Sequence, residues 1–322
     1  MALRKATKVN PGSRSVALKE NSWKYDFNRN LVVYALFIPV AIYFIVFHYL
    51  PMFGLLMAFE NFRVTKGVFG SEWVGLSNFV ELFNGDTFIK VLRNTTAMAL
   101  LNLTLGFAAP VIIAMLVTQI NYVKFRRTIQ TITYMPYFVS AVVVTTLASE
   151  FLSNQGALTM LLSLFGFEQQ NWIANPNIPV FWLINTGIGI WQFSGYGAII
   201  FIAAIANVNG DLYEAAAIDG AGRWKRLWRI TVPSILPLLL VMLTLRVGTV
   251  FRIGFDKVLL LYMPSTYETA DCLYTYTYRM AFGQTVNYGL ATASGLFQSV
   301  ISTVLLLVSN GLSKKYSKSS MF

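Results

Sequence analysis

The sequence predicts an all-α, polytopic membrane protein with six transmembrane helices. Three observations carry this. Only 12% of the 322 residues are charged while 56% are hydrophobic, and average soluble domains carry about 25% charged residues. The apolar residues are gathered into charge-free runs at 30–59, 94–123, 128–149, 169–210, 230–245 and 280–313. The basic residues fall on alternate sides of those runs. A helix needs about 20 mostly apolar residues to cross the hydrocarbon core. Five runs meet that length, and the run at 230–245 resumes its apolar character after Arg246, to about Val250. The spans are placed near 31–51, 95–119, 131–152, 179–206, 232–252 and 288–310.

The first run is longer than the 7–15 apolar residues of a secretory signal and follows 30 polar residues, so it reads as a retained helix. Residues 1–30 form a basic segment and residues 31–322 the transmembrane domain. Lys and Arg concentrate on the cytoplasmic side of a membrane protein. Seventeen of them lie before Leu31, in loops 120–130 and 207–231, and in the tail after Ser313, against seven in the alternate segments. Both termini and loop 207–231 are therefore expected in the cytoplasm of a multi-pass protein of the bacterial inner membrane. The net charge of +11 orients the chain in the lipid bilayer, and no nucleic-acid partner is called for.

Trp23-Lys24-Tyr25, just before the first span, suits the membrane interface. Loop 52–94 is long enough for a small extramembrane structure. The Asn-x-Thr matches at Asn94 and Asn102 fall at or inside a span, where glycosylation is not expected. Loop 153–178 is polar and external. In the sixth span, Ala291 and Gly295 offer a small face for helix contact. Cys272 is the only cysteine and His48 the only histidine, which excludes an internal disulfide and a Cys-based metal site. No HExxH, GxSxG or paired-histidine pattern is present, so no catalytic residue and no metal site are assigned.

One soluble-looking stretch interrupts the apolar runs, at 209–237. Asn209 or Asp211 can cap a helix, and Glu214 suits its first turn. Ala215, Ala216 and Ala217 are strong, slim helix formers. Gly220 and Gly222 end the helix, and the basic, aromatic stretch 223–229 suits the anionic inner leaflet. Pro233 is tolerated in the first turn of the next span. A short helix with a small-residue face, held off the membrane, suits a cleft in another protein.

Glu214-Ala215-Ala216, Asp219-Gly220-Ala221, Ile230, Pro233 and Pro237 resemble the EAA loop of binding-protein-dependent ABC importer permeases, with the MetI-like fold. Pro51–Gly54, Ala58–Phe62, Trp73–Phe79, Arg126–Tyr137, Leu243–Gly248, Gly254–Val258 and Tyr267–Asp271 resemble the LplB-like polysaccharide and oligosaccharide branch of the sugar permeases. The usual Phe of the EAA loop is replaced by Leu227 or Trp228. The resemblance implies a non-enzymatic permease subunit whose Glu214, Ala215, Ala216, Asp219, Gly220, Ala221, Arg223 and Pro233 couple it to an ATPase. It also implies a second, homologous permease chain in a heterodimer, an ATPase dimer using ATP and Mg, and an extracytoplasmic solute-binding protein. This chain has no Gly-x-x-x-x-Gly-Lys-Ser/Thr loop to cradle ATP, so it binds no cofactor itself.

For the substrate path the candidates are Arg246, Arg252 and Tyr278. Intramembrane charge is costly and faces a bundle interior or a water-filled path, so Arg246 either lines that path or has a structural partner. Glu150, the one acidic residue placed in a span, lies near the outer end of the third. A cavity-facing Arg246 suits an acidic oligosaccharide such as a uronate. Tyr278, with Tyr262, Tyr267, Tyr274 and Tyr276, crowds the last external loop, where rings either stack on sugars or form an interfacial belt. The alternatives are a secondary transporter or channel without an ATPase, and a membrane-embedded enzyme.

Overall fold

The computed structural model describes residues 27, 29–251 and 254–317. Nearly all of the basic N-terminal segment, and Arg252, lie outside the described residues. Helix dominates, because backbone amides in hydrocarbon must be satisfied within their own segment. Among the described residues, Leu31–Phe59, Asp86–Thr118, Val180–Ala206, Arg223–Gly248 and Tyr288–Lys315 are long and apolar enough to cross a membrane, and a bent pair makes a sixth if counted as one span.

The chain forms two compact units, Met1–Gly54 and Leu55–Phe322. In the first unit, helix α1 (Leu31–Phe44) is apolar on every side and contains no buried residue. Its hydrogen bonding widens into a π turn at Ile45–Tyr49, just before Pro51 removes a donor. His48 stacks on Phe44 there, ring centroids 5.0 Å apart. The lone histidine is otherwise exposed.

The second unit opens with strands β1 (Glu60–Asn61) and β2 (Glu72–Trp73), antiparallel with Glu60 opposite Trp73. Helix α2 (Ser77–Asn84) follows. Asn78 donates to the carbonyls of Ala58 and Glu60, both at 3.0 Å, and so holds the hairpin to α2. The spine is α3 (Asp86–Thr118) packed along α7 (Val180–Ala206). Close approach comes from small residues: a Cβ at Gly197 would lie 3.3 Å from Pro110 Cβ. The 33 residues of α3 extend about 50 Å, well beyond a hydrocarbon core of about 30 Å. Its first turns project past the span expected from residue 95.

Where one straight helix is expected over 131–152, the chain breaks. Helix α4 (Val123–Tyr134) and helix α5 (Ala141–Phe151) are bent by 101°, and α4 takes up much of the expected loop 120–130. Pro136 sits in the 3₁₀ turn Met135–Phe138, and Val139 is extended. Ser140 then caps α5 by accepting from the Val143 amide. The freed Val139 carbonyl accepts from Gln192 Nε2 of α7 at 2.9 Å. Gly195 is needed beside this break, because a Cβ there would collide with the Thr133 carbonyl. The sequence shows the proline but not the partners that make a break affordable.

Loop 153–178 carries helix α6 (Ala157–Ser163). After α7 come α8 (Gly210–Ile218), α9 (Arg223–Arg226), a π turn at Leu227–Thr231 and α10 (Val232–Gly248). The expected external loop 253–287 is compactly folded as α11 (Phe255–Leu261), α12 (Tyr267–Ala270) and α13 (Leu273–Phe282), before the long α14 (Tyr288–Ser317). Asn94 pins this region to α3, donating to the carbonyls of Glu268 and Asp271 at 2.9 Å each. The Leu273 amide donates to Thr95 Oγ1 at 2.9 Å, and Asp271 pairs with Arg279. Cys272 is a buried free thiol.

Candidate functional site

Two places in the second unit gather the residues singled out by sequence. The first is α8 and its sequel. Asn209 is the N-cap, its Oδ1 accepting from the Asp211 amide at 3.0 Å. The C-terminus closes as a Schellman turn, with the Ala221 amide donating to the Ala216 carbonyl at 2.8 Å and the Gly220 amide to Ala217 at 3.1 Å. Gly220 adopts φ +73°, the left-handed region a side chain disfavours. Glu214, Ala215, Asp219, Gly220, Arg223 and Pro233 are exposed, and Ala216 and Ala221 are half-buried. Ile218 is 88% exposed and Trp224 67%, so apolar surface accompanies the small residues. Leu227, at 2% exposure, packs with Met115, Phe201, Ile205 and Ile235, whereas Trp228 is exposed. Leu227 is thus the residue that fills the inward position.

Two features join this stretch to the following span. Arg223–Gly248 is continuous helix through the π turn, 26 residues or about 39 Å. Tyr213 of α8 shares a 2.8 Å hydrogen bond with Thr231, which ties α8 to the base of that helix.

The second place is a cavity of about 360 Å³ lined by α3, α7, α10, the 3₁₀ turn and α11. Arg246 faces it and donates from Nη2 to Asn102 Oδ1 at 2.6 Å. The carboxylate of Glu150 does not line it. Arg246 therefore faces the cavity and also has a neutral partner, so the two sequence readings are not exclusive. The space for its guanidinium exists because Gly106 lacks a side chain: a Cβ there would sit 3.0 Å from Nη2.

Sequence reasoning missed Lys257, the second cation of this cavity. It is 7% exposed, with Nζ 4.7 Å from the Phe193 ring centroid and 3.3 Å from where a Gly189 Cβ would stand. Among the described residues no carboxylate lines the cavity, and Lys257 takes part in neither of the ion pairs found. Leaving a buried charge uncompensated costs about 3–5 kcal/mol, whereas a cation–π contact returns about 0.5–2 kcal/mol. Asn185 also lines the cavity, with Oδ1 buried and unpartnered. Tyr137 and Tyr196 stack at its edge, centroids 3.8 Å apart and planes within 8°. A signal existed in the sequence: Lys257 and Leu261, four apart, share the buried face of a short apolar helix. Tyr278 is elsewhere, against Phe255 and Phe282.

The profile of the family described as "Binding-protein-dependent transport system inner membrane component" matches residues 121–318. Protein LplB of Bacillus subtilis (strain 168) is 36% identical over 304 residues, 94% of each chain. The polygalacturonan/rhamnogalacturonan transport system permease protein YteP of the same organism is 35% identical over 292 residues, 90% of each. A chain from the crystal structure of a bacterial alginate ABC transporter, in complex with alginate pentasaccharide-bound periplasmic protein, matches with a TM-score of 0.85 at 37% identity. That match covers 94% of this chain and 100% of the other.

Proposed function

The chain belongs to the family of binding-protein-dependent transport system inner membrane components, and on that premise we propose that it is the permease subunit of an ATP-driven importer of acidic oligosaccharides. It works beside a second, homologous permease chain, an ATPase dimer and an extracytoplasmic solute-binding protein. Residues 207–231 and both termini face the cytoplasm, consistent with the cation asymmetry.

The observation that carries the reading is the continuity from α8 to Arg246. Closure of the ATPase dimer displaces α8, seated in its groove by the exposed Glu214, Ala215 and Gly220. The Tyr213–Thr231 bond and the unbroken Arg223–Gly248 helix pass that displacement to α10. Arg246 stands two residues before the end of that helix, so movement at α8 changes the cavity. Rocking of α10 alternates its access between the two sides of the membrane.

The acidic nature of the substrate rests on Arg246 and Lys257. Both cations face a cavity without a carboxylate, and a uronate supplies the missing charge through strong charge-assisted hydrogen bonds. The rings of Tyr137 and Tyr196 offer stacking surface for sugar faces. Named relatives transport polygalacturonan/rhamnogalacturonan and alginate, both acidic polysaccharides, which agrees with this reading. Purification of the tagged chain from its native host tests the assembly. A Walker-motif ATPase and a second permease should accompany it, and recovery of the chain alone from an actively transporting membrane would overturn the proposal.

A further inference from the structure

A separate cleft of about 700 Å³ lies at the C-terminal ends of α3 and α7, bounded by α4, α8 and α9. Four arginines converge on it, Arg126 and Arg127 from α4 and Arg223 and Arg226 from α9. Gln119, Asn121 and Gln130 add polar groups, and no carboxylate among the described residues lines it. The ion pairs found among the described residues, Lys90–Glu268 and Asp271–Arg279, lie elsewhere.

We infer that this cleft binds a phosphate-bearing ligand. Cations that merely orient a loop project into water from a convex surface. Here Arg126 and Arg127 of one helix and Arg223 and Arg226 of another line a single concavity large enough for a headgroup, together with the buried Leu227 and Ile205. Four guanidinium groups without a counter-charge repel one another, and each presents the planar fork that grips a phosphate through two hydrogen bonds. Basic pockets between transmembrane helices recognise acidic lipid headgroups in this way. Exposed Val123, Phe125 and Ile132 on α4 give an acyl chain a surface beside the headgroup. A free phosphate compound meets the same chemistry without needing that surface.

Occupancy has a mechanical consequence. A phosphate bridging Arg126 or Arg127 to Arg223 or Arg226 cross-links α4 to α9, the joint between α8 and α10. It therefore tunes how rigidly movement passes along the helix to Arg246. This consequence rests on the proposed coupling role of α8; the binding itself does not.

The test uses the assembled transporter in nanodiscs of phosphatidylcholine alone, of phosphatidylcholine with cardiolipin, or of phosphatidylcholine with inorganic pyrophosphate in the buffer. Ligand retention by native mass spectrometry and the unfolding midpoint are read together. Retention of cardiolipin with a raised midpoint identifies a lipid phosphate, and the same response to pyrophosphate identifies a soluble one. In either case Arg126→Gln/Arg226→Gln should weaken binding at least about tenfold, while Arg63→Gln, far along the chain in the first loop, leaves it unchanged. If the double Gln variant fails to assemble, Arg126→Lys/Arg226→Lys keeps the charge, loses the fork and should still bind more weakly. No response to either probe, or binding unaltered in the variant pair that assembles, overturns the inference. Because these readouts need no transport, a failure here stands apart from a failure of the importer reading.

Discussion

The ammonium of Lys257 lies 4.7 Å from the ring centroid of Phe193, facing the cavity that also holds Arg246. A buried cation over an aromatic face is a partly compensated charge. Under the proposed function, the carboxylate of an incoming sugar would complete it. Lys257→Gln should therefore reduce uptake of a uronate oligosaccharide at least about tenfold, equivalent to roughly 1.4 kcal/mol. Uptake of a neutral oligosaccharide of the same length should change little. Transport assays on the two substrates decide this, and an equal loss for both would make Lys257 a structural residue.

Arg246→Gln is expected to act in the same direction, with expression and assembly near normal. Its companion experiment is Asn102→Leu, which removes the acceptor 2.6 Å from Nη2 and leaves the guanidinium in place. Asn102→Leu should impair the preference for acidic over neutral sugars less than Arg246→Gln does. Failure of Arg246→Gln to assemble with the partner permease would place the arginine in the structural framework.

Gly220 separates backbone strain from docking. At φ +73° with nothing within 4 Å of an added Cβ, Gly220→Ala costs only the left-handed penalty of about 1–2 kcal/mol. Gly220→Asp adds a charged side chain at the exposed end of α8. Substrate-stimulated ATP hydrolysis in proteoliposomes should fall moderately in the first and be abolished in the second. Asp211, not Glu214 as the sequence suggested, occupies the first turn of α8; Glu214→Lys, which reverses a charge on the exposed middle of that helix, should uncouple in the same way. Normal stimulation in both charged variants would exclude α8 as the coupling element.

Orientation is tested by cysteine labelling. With Cys272, buried at 2% exposure, replaced by Ala, a cysteine at Gly222 should react only from the cytoplasmic side and one at Glu168 only from outside. Ready labelling at 222 in intact spheroplasts would invert the topology.

Much of this was legible in the sequence because a bilayer imposes one-dimensional rules. Apolar length gives the spans, and the EAA-like stretch shows itself as polar helix punctuation between them. Asn209, Ala215–Ala217 and Gly220 each use local backbone chemistry, so the cap, helix and Schellman turn follow from adjacent residues. The cavity is a different case. Asn102 meets Arg246 across 144 positions, and Lys257 reaches a gap left by Gly189 on another helix. The break at Pro136 likewise depends on Gln192 and Gly195 from α7. Contacts between distant elements leave no periodic trace, and Lys257 read in sequence as one more external cation.

Transport of an acidic oligosaccharide by this chain should occur only when coupled to ATP hydrolysis. Its most direct test is uptake of a labelled uronate oligosaccharide into proteoliposomes holding the chain, its partner permease, the ATPase and the binding protein. Accumulation should require ATP and the ATPase, and should disappear in Gly220→Asp without loss of the assembled complex. Equal uptake with the ATPase omitted, or driven by an ion gradient alone, would contradict it.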